Sequence, residues 1–237
     1  MLQRFLFSGI LFLTLLSSAT GQQLLDPSNT FSHKKIAEFR LVDGTVLKAR
    51  LREMTFKKGL INSMEVKDTL GNMRKLWARE VQSMYLPPSG MDKFSRSMDR
   101  TFDAQKWDLE EVKDTMIREG YVFFEQVKVE INDKPTFVLV QLLNPHFSKH
   151  IRIYHDPYAS ETMRFGVAGI TVAGGEDTSY YVLKPGGEPL AERIQRRNYR
   201  KKFEALWNDC PSLMKRKNGT IYWSDFIPDA FQYHKCK

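Results

Sequence analysis

The sequence predicts an α+β protein: a small β-barrel first, then an antiparallel β-sheet, then helices at the C-terminus. Three observations predict it. Residues 36–86 carry short apolar runs broken by Asp43-Gly44, Lys58-Gly59 and Leu70-Gly71-Asn72. Such dipeptides supply the positive φ that two-residue hairpin turns need. Residues 121–183 hold longer strand-like runs, and after Pro185-Gly186-Gly187 the apolar spacing lengthens to three and four, the period of a helix.

In the first region, residues 46–54 (VLKARLREM) alternate apolar and charged side chains with period two, as a half-buried strand does. Residues 64–68, 73–77 and 81–85 complete a set of five short strands before Pro87-Pro88. Five strands in so few residues imply a curled barrel over residues 33–86, because closure hides edges that a flat sheet exposes. Residues 87–117 read as a polar linker in which Phe94, Met98, Phe102 and Trp107 offer apolar anchors, or as a plain tether.

Residues 118–237 form the predicted α+β domain. Residues 121–131 (YVFFEQVKVEI) and 136–143 (TFVLVQLL) flank a turn at Asn132-Asp133-Lys134-Pro135. Residues 151–154 make a short strand, and residues 167–173 and 179–183 flank Gly174-Gly175 as a second hairpin. Leu190 and Ile194 then mark one helical face, and Tyr199, Phe203 and Leu206 another. The two sets oppose each other on a straight helix, so a break at Asn198, a good N-cap, predicts two helices. Pro211 suits the first position of a further short helix. Phe226, Ile227, Ala230, Phe231 and His234 predict a last one, capped by Ser224.

The N-terminus reads as a secretory leader. Arg4 supplies the positive charge, residues 5–16 are almost uniformly apolar, and Ala19-Thr20-Gly21 offers a small-residue cleavage site. An apolar run of about a dozen residues is short of the roughly 20 that span a bilayer. Residues 1–21 are therefore expected to be removed, with cleavage after Gly21. The mature protein is then periplasmic, cell-surface or secreted, without an integral membrane span. In that setting Cys210 and Cys236 are expected to form a disulfide; two buried thiols are the alternative.

The stretch from Tyr180 onward resembles the C-terminal part of a group of uncharacterised exported proteins of Gram-negative bacteria. The resemblance is carried by Tyr181-Val182-Leu183-Lys184, by Asp209-Cys210-Pro211-Ser212-Leu213, and by the closing Tyr233 and Cys236. Leu41-Val42-Asp43-Gly44-Thr45 and the strand after it make residues 36–85 similar to the SH3-like or Sm-like barrels of such proteins. The resemblance implies compartment and fold and brings no activity.

Motifs that carry chemistry are few. The sequence has no nucleophile elbow, zinc-binding His-Glu-x-x-His or phosphate loop, and Gly166, Gly169, Gly174 and Gly175 do not form a dinucleotide fingerprint. His146, His150, His155 and Asp156 lie close in sequence, but an extended segment sends His150 and His155 to opposite faces, so they read as loop histidines. Asp108, Glu110, Glu111 and Asp114 read as a solvated acidic turn. No catalytic residue, metal or cofactor is assigned, and an enzyme whose site is assembled from distant residues stays open.

Charge is more informative. The chain carries +8 at pH 7. Arg193, Arg196, Arg197, Arg200, Lys201, Lys202, Lys215, Arg216 and Lys217 face only Glu204 and Asp209 within the same segment. Of these, Arg193, Arg196, Arg197, Arg200, Lys201 and Lys202 are the candidate anion-binding set. The expected function is a non-catalytic binding module for an envelope protein or an anionic polymer, nucleic acid being disfavoured outside the cytoplasm. A structural subunit of an envelope assembly is the remaining alternative.

Overall fold

The computed structural model describes residues 24–89, 112–159, 165–167, 170–173 and 179–237. The leader, the acidic residues Asp108, Glu110 and Glu111, and the Gly174-Gly175 turn lie outside the described residues. The protein is α+β, with a large, mostly antiparallel sheet and helices at its C-terminus.

Strands β1 (Ala37–Leu41), β2 (Val46–Lys57), β3 (Leu60–Asp68), β4 (Met73–Trp77) and β5 (Val81–Leu86) form over the five predicted segments, with β2 ending later and β3 beginning earlier than predicted, so that the two meet at the Lys58-Gly59 turn. The turns between them follow local chemistry. Lys58 and Gly59 both take positive φ, 52° and 80°, as a tight hairpin requires. Asp43 Oδ1 accepts a hydrogen bond from the Thr45 amide, and Asp68 Oδ1 accepts from the Leu70 and Asn72 amides, so each carboxylate builds its own turn. The strand order is β4-β3-β2-β1-β5.

The predicted SH3-like barrel is not found: the sheet stays open. Closure would pair β5 with β4, but the free edge of β5 is taken by β6 (Val122–Ile131), with Ser83 opposite Glu125 and Leu86 opposite Val122. β7 (Lys134–Gln141) pairs with the other edge of β6 along Phe124 to Ile131. Asn132 and Asp133 alone make that turn, at φ 51° and 59°, so Pro135 falls inside the strand rather than in the loop.

β8 (Arg152–His155), β11 (Ser179–Leu183) and β12 (Leu190–Gln195) form a second antiparallel ladder, joined to β6 by parallel pairing of Leu190 and Ala191 with Lys128 and Val129. Two expectations are corrected here. Residues 167–173 do not pair with 179–183; β9 (Phe165–Val167) and β10 (Ile170–Ala173) pair with each other, while β11 lies between β8 and β12. Residues 190–195 are a strand, not a helix. Spacing of four suits a helix, but pairing with β6 and β11 satisfies the backbone and buries Ala191 and Ile194.

Helix α1 (Asp114–Arg118) precedes β6, and α2 (Tyr199–Trp207), α3 (Pro211–Met214) and α4 (Phe226–Cys236) follow β12. Asn198 stands at the start of α2 as predicted, yet its Oδ1 accepts from the Gln195 amide rather than from the helix. Pro211 opens α3, where a missing N–H costs nothing. Asp225, not Ser224, precedes α4, because a short 3-10 turn at Trp223–Asp225 extends the helical segment.

The alternation of β6 separates two cores. Val122 and Phe124 join Phe39, Leu51, Met64 and Leu76 on one side. Phe123, Val127 and Val129 join Tyr85, Ile117, Tyr154 and Tyr181 on the other. A third core lies where the helices cover β8, β11 and β12. There Tyr180, Trp223 and Phe226 stack nearly parallel, with ring centroids 5.2–5.7 Å apart. Beneath them the Tyr199 hydroxyl donates to buried Asp229 (2.6 Å) and accepts from Trp207 Nε1 (3.2 Å). A disulfide joins Cys210 to Cys236, whose Cα atoms are 5.7 Å apart, and so ties α4 to the start of α3.

Two outcomes follow from this helical layer. Cys236→Ser should lower unfolding free energy in denaturant titrations by about 3 kcal/mol, through the loop it opens. Tyr199→Phe, which takes the hydroxyl from Asp229 with little change of volume, should cost about 1–3 kcal/mol. Equal stability of the variant and the parent would show that this bond is dispensable.

Candidate functional site

The sequence-predicted basic set divides in two once folded. Arg193 points along the sheet from β12, and its Nε donates to Asp156 at 2.6 Å. Lys202 pairs with Glu192, which ties α2 to β12. Arg196, Arg197, Arg200 and Lys201 remain exposed around the start of α2. Arg197 Nε donates to Gln195, and none of the four has a carboxylate partner among the described residues. Further along the basic run, Arg216 is held by Asp229 and Asp225, and Lys217 by Glu204.

The helix itself adds to this potential. The first turn of α2 contains no acidic residue, and no side chain caps its amides. Unsatisfied N–H groups place partial positive charge at a helix start, and cations there are unfavourable by roughly 0.3–1 kcal/mol each. Four cations on such a start, without an internal counter-charge, form a face whose potential an external anion would relieve.

Three buried polar clusters were not anticipated from sequence. On β6, Glu125 accepts from Arg152 Nη1 at 3.0 and 3.2 Å and from the Tyr154 hydroxyl at 2.7 Å, both on β8. Burial pushes Glu125 up to about 7, against the opposing pull of the Tyr154 hydrogen bond. At the end of β8, fully buried Asp156 accepts from Ser179 Oγ (2.6 Å), from Arg193 and from the Tyr158 amide (2.9 Å). Burial, with the Asp156 charge adding to it, pushes the Tyr181 hydroxyl up to about 12. Asp229 is the third, raised by its burial. The signal for all three was a charged residue within an apolar pattern, as in Phe123-Phe124-Glu125.

Each cluster bridges separate strands or helices, with its oxygens already occupied by protein donors. That arrangement locks packing. A shallow cleft between the β2–β3 hairpin and β7 is lined by Met54, Ile61, Phe124, Leu139, Gln141 and His155, among others. Of its lining only His155 titrates, so it pairs no acid with a base. His146, His150 and His155 are half-buried, and the His150 ring lies 5.6 Å from that of His234. The described residues contain no His, Cys, Asp or Glu group arranged for a metal ion, and no helix among them is long and apolar enough to cross a membrane. Comparison with family models, curated proteins and solved structures finds no match.

The raised Glu125 carboxyl has a defined pH signature. Between its ordinary value of 4.5 and about 7 the folded state keeps a proton that the unfolded chain releases. The stability this proton lends is complete at acid pH and is lost as pH rises through 7. The carboxyl carbon shift of Glu125 should titrate with a midpoint near 7, and Glu125→Gln should flatten the stability profile between about pH 5 and 8. A midpoint near the ordinary value counts against this.

Proposed function

We propose that this chain is an exported, non-catalytic binding protein that docks an anionic polymer or an acidic protein on the face at the start of α2. The observation that supports this reading is the exposed group Arg196, Arg197, Arg200 and Lys201, unneutralised among the described residues and seated on an uncapped helix start. Elsewhere in the basic run the chain supplies carboxylates for four cations, Arg193, Lys202, Arg216 and Lys217, though not for Lys215. Here it supplies none. The leader-like composition of residues 1–21 supports export in this reading, and the Cys210–Cys236 disulfide fits an oxidising compartment.

Charge reversal of Arg196, Arg197 and Lys201 to Glu tests the reading, because all three side chains are exposed and the fold should survive. Elution from immobilised heparin should move to lower salt, with affinity falling more than about tenfold. Unchanged retention at low salt would mean that these cations are merely solvated.

A further inference from the structure

The outer face of strands β1 to β4 carries a second, separate pattern: aliphatic side chains at one end and cations behind them. Ala49 opposes Asp68 across β2 and β3, so the β1–β2 and β3–β4 turns lie at the same end of the sheet. β2, which follows the first turn, pairs along its length with β3, which precedes the second. The two tips are therefore adjacent.

They are also apolar and exposed. Val42 and Val46 are 58% and 46% accessible, and Leu70 and Met73 are 86% and 57% accessible. Hairpin tips ordinarily carry polar residues, and four aliphatic side chains at one end of a sheet are costly to leave in water. Immediately behind them on this face stand Arg40, Lys48, Arg50 and Lys67, all exposed and without a carboxylate partner among the described residues. Arg40 lies opposite Val46, Lys67 opposite Met73, and Arg50 directly opposite Lys67. Like charges in directly opposed positions destabilise a ladder. Of the nearby carboxylates, Asp43 and Asp68 accept hydrogen bonds from their own turns, Glu38, opposite Lys48, pairs with Lys113, and Glu65 lies opposite Lys75.

We propose that this end of the sheet docks on an anionic lipid bilayer, with Val42, Val46, Leu70 and Met73 entering the interface and the cations behind them at the level of the headgroup phosphates. The pattern selects this occupant. A soluble polyanion would use the cations and gain nothing from the aliphatic tips. A second copy of the chain would bring its own cations against these and be repelled. A bilayer takes both, apolar groups below the headgroups and cations among them. The surface is remote in sequence from the start of α2, and the proposal does not depend on the binding proposed there.

The test is co-sedimentation of the full chain with vesicles of phosphatidylcholine alone and of phosphatidylcholine with phosphatidylglycerol. Any contribution from the apolar N-terminal residues is common to all variants and cancels in the comparison. The parent should bind the phosphatidylglycerol vesicles and be released by salt. Leu70→Asp with Met73→Asp should weaken that binding more than about tenfold while leaving heparin retention unchanged. Lys48→Glu with Lys67→Glu should weaken it by at least about fivefold per position, and reversal of Arg196, Arg197 and Lys201 should affect it far less. Near-ultraviolet circular dichroism verifies that each variant is folded. Full binding by the Leu70/Met73 variant overturns the proposal, as does binding that ignores phosphatidylglycerol. Equal losses on heparin and on vesicles in that variant would also overturn it, assigning the face to polyanions instead.

Discussion

The fold depends on how the edges of one strand are shared. β6 gives most of one edge to β7, along Phe124 to Ile131, and divides the other, with β5 pairing along Val122 to Glu125 and β12 along Lys128 and Val129. An ordinary strand has one neighbour on each side; this one, ten residues long, has three. Gln126 occupies the gap between the two partners on the divided edge, and its amide reaches the carbonyls of Ala78 and Arg79. β6 is buried on both faces along Val122–Phe124, so Val122 and Phe124 complete the core under β1 to β5, while Phe123, Val127 and Val129 complete the one beneath β8, β11 and β12. The open sheet follows directly: β5 cannot close on β4 while β6 holds its edge.

Glu125 sits where the first of those partners ends, and Arg152 and Tyr154 reach it from the far ladder. Removing one member of such a buried cluster is typically costly by about 1–3 kcal/mol, since its hydrogen-bond partners are left unsatisfied. The remaining buried charges follow the same logic. Asp156 ties β8 to β11 and β12 through Ser179 and Arg193, and Asp229 ties α4 to α2 and to the segment carrying Arg216. Inside, the chain matches each carboxylate with donors. Outside, at the start of α2 and along β1 to β4, it leaves cations unmatched. That contrast is why the surface, rather than the interior, is where binding is proposed.

Much of the local structure was legible in the sequence because short-range chemistry decides it. Lys58-Gly59 and Asn132-Asp133 are turns for reasons contained within two residues, and the period-two pattern of β2 needs no distant partner to be read. The parts that were not legible depend on contacts between distant segments. Leu190 and Ile194 have helical spacing, and only the parallel pairing with β6 makes their segment a strand. Barrel closure was a reasonable inference from five strands and was overridden by the edge that β6 takes. The basic run was visible as composition, but the carboxylates that neutralise Arg193, Lys202 and Arg216 lie on other elements, so its split into paired and unpaired cations could not be read along the chain. Glu125 left a faint trace as an acid in an apolar strand, with its partners 27 and 29 residues away.

Native-state hydrogen exchange on the amides of β6 examines the shared strand most directly. Amides along Val122–Ile131 should open only by global unfolding, and those of β1, β5 and β12 buried beside them should report the same opening free energy under mild denaturant. A sheet in which β12 and β11 lose protection first, while β5 and β6 keep theirs unchanged, would mean that the two ladders are held independently.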